Sequence, residues 1–446
     1  MLGLYRFLTS TIGGAVAYFA VGRSPTVTGD FTHRMGRRGL PDALPAGRRV
    51  WINAASVGET MAAIPFVNAW RGRHPDDVLL VTNTTVTGFN RAEENLAGVA
   101  AWHGYSPIDT PAAVRRYIAA LKPDIYITVE AEAWPNLLFE LGRARVPRVL
   151  VNGRMTLANK RGIKKRITAD IWRLFDLVIA RSKRDYEAYL GLGIDGAKLT
   201  IGGELKCDIE FPAMDDAELA KFRERYGIDS ERCWVAASTH EGEDELAIEA
   251  HRAALARRPD ARLVLVPRRP ERFEAVAAIL GASGLSYTRL SGAKENSAVA
   301  AVGANDAATA KIPPDARSQV LLVDAMGQVL KFYQACGLAV VCGSFYGPGV
   351  HSVLEPAAYG RPILCGHRVF NTDIPERMQA DGMIAILPEP SVLPKYIAAW
   401  AAGENVPGGD STFGVMGARA AAFFMQNRGA AERTVEIVAE RLASII

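Results

Sequence analysis

From Val50 onward the chain alternates short apolar runs with stretches of helical period, and this alternation restricts the fold more than any other feature. The runs Arg49–Ala55, Val78–Thr82, Ile125–Val129, Val146–Asn152, Leu177–Ala180 and Leu199–Gly202 read as strands. A second series follows at Cys233–Ala237, Arg262–Val266, Val320–Val323, Leu338–Cys342, Pro362–Cys365 and Met383–Leu387. Between them lie helical patterns such as Ala62–Trp70. Strands that are apolar on both faces and separated by helices belong to a parallel sheet covered on both sides. The charged stretch Cys207–Ser230, with Pro212 and Asp215-Asp216, reads as an interdomain connection plus a helix. Two doubly wound α/β domains facing across a cleft are therefore expected, and 446 residues suffice for them. Ser291–Arg317 is low in complexity and reads as a mobile surface loop.

Lys plus Arg number 52 and Asp plus Glu 48, a net charge of +4. That is too mild to indicate a nucleic-acid partner. The five cysteines, Cys207, Cys233, Cys336, Cys342 and Cys365, form no CxxC and read as reduced, buried thiols rather than a zinc site. Phe7–Gly22 is uncharged and lies between Arg6 and Arg23. Sixteen residues are short for a span. A signal peptide, a monotopic anchor in the membrane interface and an ordinary amphipathic helix all fit it.

Ligands of doubly wound sheets bind beyond the carboxyl ends of the strands. Ser56-Val57-Gly58-Glu59 follows the first strand and places Glu59 at a helix start. There it can accept a proton or simply complement the helix dipole. Thr82–Gly88 ends the next strand with hydroxyls that suit either a polar ligand or a helix cap. Glu130 and Glu132 follow the strand Ile125–Val129; in an extended segment they share a face and can perturb each other's pKa, or they stand on an ordinary surface loop. Lys160–Arg166 holds five basic residues in seven, suited to anionic lipid, a phosphorylated substrate or plain solvation. In the second half, Ser238–Glu243 opens a helix whose backbone amides can hold phosphate. Arg268 and Arg269 offer guanidinium groups to phosphate or carboxylate. Gly343–Gly349 is a glycine-rich loop leading to His351 and to Ser352–Glu355, where Glu355 is placed to accept ribose hydroxyls. P-loop, dinucleotide, serine-hydrolase and Asp-x-Asp motifs are missing from the sequence.

Nine segments in order resemble the 3-deoxy-D-manno-octulosonic acid (Kdo) transferases of lipid A biosynthesis. They are SVGE at 56–59, EAEAWPN at 130–136, NGR at 152–154, ELKCD at 204–208, ASTHEGED at 237–244, PRRPERF at 267–273, DAMGQ at 324–328, GVHSVLEP at 349–356 and FN at 370–371. The resemblance runs from about residue 35 to 400 and implies a metal-independent, inverting GT-B glycosyltransferase without a cofactor. Its donor would be CMP-Kdo and its acceptor a lipid A precursor (lipid IVA) at the cytoplasmic face of the inner membrane. By the same resemblance Glu59 is the general base, and Glu130 and Lys206 stabilise the transition state. Pro267, Arg268, Met326, Gly327, Gln328, Ser352, Val353, Leu354 and Glu355 match CMP-binding positions. The expected layout is a membrane-associated segment at 1–22, an acceptor domain at 45–206 and a nucleotide-sugar domain at 207–446 that includes the C-terminal helices. Because CMP-Kdo is made in the cytosol, the signal-peptide reading falls. Several positions depart from the family pattern: Gln328 replaces an acidic residue, Ser352-Val353 replaces Asn-Pro, Arg269 replaces His, and Ala131 and Ala133 replace Thr and Leu. Three of these lie on the donor side and leave room for a related membrane-associated GT-B transferase with another nucleotide sugar or acceptor.

Overall fold

The computed structural model describes residues 2–11, 31–155, 168–291, 318–370 and 374–445. Residues 12–22 of the expected membrane segment, the basic run 160–166, nearly all of the low-complexity stretch and Asn371 lie outside the described residues. The chain forms two compact units, one of residues 1–209 with 427–446 and one of 210–426.

The first unit is built on a parallel seven-stranded sheet: β1 (Arg49–Asn53), β2 (Val78–Asn83), β3 (Trp102–Tyr105), β4 (Ile125–Val129), β5 (Arg148–Gly153), β6 (Leu177–Ala180) and β7 (Leu199–Ile201). The strand order is β3-β2-β1-β4-β5-β6-β7. The order reverses between β1 and β4, which pair directly, with Asn53 beside Thr128. The second unit has its own seven strands: β8 (Cys233–Thr239), β9 (Arg262–Pro267), β10 (Tyr287–Arg289), β11 (Val320–Leu322), β12 (Leu338–Val341), β13 (Ile363–Gly366) and β14 (Ala385–Leu387). Their order is β10-β11-β9-β8-β12-β13-β14, with the reversal between β8 and β12. Helices bury apolar side chains on both faces of each sheet. One face of the first sheet packs Val50, Ile52 and Val81 against Phe66 and Trp70, and the other packs Trp51 and Leu80 against Tyr117 and Leu138.

Two strands carry no signal in the sequence, β3 and β10. Each is an edge strand. An edge strand has one neighbour and needs no continuous apolar run. Most residues of β3 and all of β10 are only partly buried.

The expected domain layout needs one correction. The last helix, Ala430–Ile445, belongs to the first unit, not the nucleotide-sugar domain. Its Ala430, Ala431, Val435 and Val438 join the core beside Val50 and Phe66. Asp208 caps its start, accepting from the amides of Gly429 at 2.5 Å and Ala431 at 2.6 Å. The five cysteines are buried thiols, as expected.

At the other end, the helix Leu2–Thr11 lies on the first unit. Tyr5 donates to Asp109 at 2.8 Å, Arg6 pairs with Glu140 at 2.8 Å, and Asn136 donates to Thr9 at 2.9 Å. Phe7 and Leu8 stay exposed. Among the described residues no helix is long and apolar enough to cross a membrane.

Candidate functional site

Both clusters form at the switch points, where diverging connections open a crevice at the strand ends. In the first unit β1 runs into Ser56, the N-cap of the helix Val57–Arg73. Ser56 donates to Glu59 Oε2 from its amide at 2.7 Å and from its hydroxyl at 2.9 Å. The S-x-x-E spacing thus makes a capping interaction and fixes the Glu59 carboxylate at once. Glu59 is buried, and its pKa is raised, first by burial and then by the charge of Glu130, against the lowering bonds from Ser56. A raised value suits a proton acceptor. The geometry that places Glu59 at the helix start is compatible with both readings, dipole and proton acceptor.

Glu130 follows β4 with a φ of 63°, the left-handed region. A non-glycine residue held there signals a constrained position. Extended geometry through 130–132 is thus absent, and the expected mutual perturbation of Glu130 and Glu132 does not form. Instead Glu130 pairs with Lys206 at 2.6 Å and Arg154 at 3.8 Å. Burial alone would raise the Glu130 pKa, but Lys206 and the two arginines 154 and 181 bring it below the usual value. Lys206 is correspondingly raised: burial opposes this, and Glu130 and Glu204 prevail. Glu132 is pushed up to about 7 by burial and by Glu59, and accepts a bond from the Trp134 indole.

Lys206 sits on the short turn Leu205–Asp208, held by Asn152 and Glu204 of two quoted motifs and by Arg181, which carried no sequence signal. Asn152 donates to Glu204 at 3.0 Å and accepts from the Leu205 amide at 3.0 Å. Arg181 bonds Glu204 at 3.2 Å and Asp185 at 2.9 Å. The hydroxyls after β2 build the scaffold. Thr85 caps the helix Val86–Leu96, and Asn83 donates to Ala54 O at 2.6 Å and to Thr60 at 2.9 Å, tying down the helix that carries Glu59.

In the second unit the loops after β8 and β12 bring His240 and His351 together. Their rings stack with centroids 5.3 Å apart, and their Nε2 atoms are 3.0 Å apart. His351 is held down at about 4 by burial, then by Arg268 and His240. His240 is lowered as well, first by burial. Arg268 is exposed after β9. Glu355, half-buried, is pushed up to about 7 by burial, which the Arg268 charge opposes. Pro267 ends β9 in the core, Ser352 is exposed, and Val353 and Leu354 are buried. Ser352 and Glu355 are thus the side chains of that segment open to a ligand. Met326-Gly327-Gln328 forms a turn after β11, with Gly327 at a φ of 75°. Among the described residues no hydrogen bond or ion pair joins this turn to Arg268 or Glu355.

One expectation is narrowed here. The His240 amide does not stand open for phosphate, because the carboxylate of Glu243 already occupies it. Asp244 likewise turns inward to Thr239 and Arg272.

The family model for 3-deoxy-D-manno-octulosonic-acid transferase (kdotransferase) matches residues 30–209. The chain is 32% identical to the 3-deoxy-D-manno-octulosonic acid transferase of Haemophilus influenzae, over 88% of this chain and 87% of that one. It is 34% identical to the Bordetella pertussis enzyme of the same name, over 76% of each. Among solved structures it is similar to Anabaena Alr3699/HepE in complex with UDP, with a TM-score of 0.59, 14% identity and coverage of 89% and 100%. A glycosyltransferase from Rickettsia africae gives a TM-score of 0.59 at 12% identity, covering 90% and 99%. These two structures establish the GT-B glycosyltransferase fold.

Proposed function

The chain belongs to the 3-deoxy-D-manno-octulosonic acid (Kdo) transferase family and is a glycosyltransferase; from that premise we propose that it moves Kdo from CMP-Kdo to a lipid A precursor, lipid IVA, with inversion and without a metal ion. The observation that carries this reading is the convergence of Glu59, Glu130 and Lys206 from three separate segments of the first unit.

In this mechanism an acceptor sugar hydroxyl gives its proton to Glu59. Its oxygen then forms a bond to the anomeric carbon of Kdo as the bond from that carbon to the CMP phosphate oxygen breaks. Attack from the face opposite the leaving group inverts the centre. The Lys206 ammonium, oriented by Glu130, offsets negative charge in the transition state. Arg268 meets the phosphate, and Glu355 accepts the ribose hydroxyls. Fixed cations of this kind can supply the charge stabilisation that other transferases obtain from a metal. The helix Leu2–Thr11, with Phe7 and Leu8 exposed, and the basic run Lys160–Arg166 would hold the protein at the inner membrane, facing the cytoplasm.

Mass spectrometry of a tetra-acylated lipid A precursor, after incubation with the protein and freshly generated CMP-Kdo, tests donor and acceptor together. A gain of one or more Kdo units is expected, and the gain should persist in a chelator. No gain from folded protein would sink the assignment and direct the search to other nucleotide sugars. Deleting residues 1–11 should weaken binding to anionic vesicles, and unchanged binding would remove that role from the helix.

A further inference from the structure

Glu243 is almost wholly buried and accepts four backbone amide bonds. Two come to Oε2, from His240 at 2.9 Å and Gly343 at 2.8 Å. Two come to Oε1, from Phe345 at 2.9 Å and Tyr346 at 3.3 Å. Three of these amides lie about a hundred residues further along the chain, in the glycine-rich loop. A carboxylate has room for about four such bonds, so its acceptor capacity is filled. This loop therefore wraps an anion supplied by the protein itself.

The consequence reaches both histidines. Glu243 fixes the His240 amide directly. It also fixes Gly343, whose α-carbon lies against the His351 ring: a Cβ there would come within 2.8 Å of His351 Cδ2 and 2.6 Å of Gly349 O. Gly343 holds a φ of 78°, open to glycine at no cost. One side chain thus sets the turn that carries His240 and the loop that packs His351, and the two rings stack as a result. Arg268 lies on the same side of the second unit: its amide donates to the carbonyl of Thr239, the residue before His240, at 3.1 Å.

We propose that Glu243 is the positioning residue of the donor site, holding the His240–His351 pair beside Arg268 so that these side chains, not the loop amides, receive the nucleotide phosphate. This rests on the reading that the second unit binds the donor. Direct binding of CMP to the full-length protein separates the two claims. If wild-type protein binds no cytidine nucleotide, the donor reading itself fails. If it binds CMP, Glu243→Gln becomes the test, because the amide presents N–H where two backbone N–H groups now donate. The expected result is a donor KM raised about tenfold or more, with the acceptor KM within about twofold of wild type. A general loss of stability would not split the two constants in that way. An unchanged donor KM overturns the proposal. Should Glu243→Gln not fold, His351→Gln leaves all four Glu243 bonds in place. It should raise the donor KM by a similar factor, and if it does not, the proposal fails equally.

Discussion

In the first unit the loops after β1 and β4 present three carboxylates, Glu59, Glu130 and Glu132. In the second, the corresponding loops after β8 and β12 present two imidazoles, and the buried carboxylates there face inward, Glu243 wrapped in backbone amides and Asp244 bonded to Thr239 and Arg272. The sheets share the doubly wound plan and a switch point at their first strand. The shared topology puts polar side chains beyond the strand ends in both units, and the sequence decides which ones stand there. Burial acts on both clusters with opposite sign. It raises Glu59 and Glu132 and lowers His240 and His351, favouring the uncharged form in every case. Glu130 escapes because Lys206 and two arginines outweigh its burial. On the proposed function, one cluster takes up a proton, and in the other Arg268 supplies the charge that meets an anion while the imidazoles can offer only N–H groups.

The sharpest way to break this contrast is Glu59→Gln. The amide keeps an oxygen for Ser56 but cannot accept a proton. Transfer should fall about 100- to 10,000-fold with the melting temperature nearly unchanged. A single-turnover assay showing undiminished transfer would falsify the base assignment.

Lys206→Met tests the pair that keeps Glu130 charged. It leaves a buried carboxylate without its closest cation. A loss of about 2 kcal/mol in denaturant unfolding is expected, below the 3–5 kcal/mol of a fully buried pair because Lys206 is 30% exposed. Stability equal to wild type would show that Arg154 and Arg181 suffice.

Arg268→Ala is the counterpart on the other unit. Its side chain is exposed, so stability should move by less than about 0.5 kcal/mol. CMP affinity should drop about tenfold, the effect of losing one charge-assisted contact. Calorimetric titration with unaltered CMP affinity would remove Arg268 from the donor site.

The smallest effect concerns pH. Glu132 sits near 7 in the folded protein, above its ordinary 4.5, so its stabilising contribution is complete below that ordinary value and lost as pH rises from about 4.5 to 7. Glu130 has the opposite sign, contributing at neutral pH and losing that contribution as pH falls through its lowered value. Glu132→Gln should therefore gain on the order of 1 kcal/mol over wild type at pH 8 and nothing near pH 4, with partial exposure discounted. Equal gains at both pH values would point to packing instead. Transfer itself should slow as acid protonates Glu59.

Legibility in the sequence followed burial. The central strands β1, β2, β4, β8 and β9 are almost wholly buried, and their unbroken apolar runs marked them. Trp102–Tyr105 and Tyr287–Arg289 went unmarked because partly exposed edges impose no such pattern. Ser56 and Glu59 were visible because a cap and its partner are neighbours in the chain. Glu243 carried no signal of its own, since three of its four amide donors lie about a hundred residues away. Arg181 went unread because its partner Glu204 stands 23 residues further on, and the Asn152–Glu204 bond joins two quoted motifs that only folding brings together.

The sequence alone determined two doubly wound domains and the strand ends where polar residues such as Glu59 and Glu130 stand, because hydrophobic period and capping act over a few residues, whereas Lys206 was marked only by the resemblance to the family. Tertiary structure alone decided that the last helix completes the first unit, that Glu130 turns left-handed toward Lys206, and that Glu243 serves the glycine-rich loop. Each of these depends on desolvation and on hydrogen bonds between groups that only folding brings within 3 Å or so.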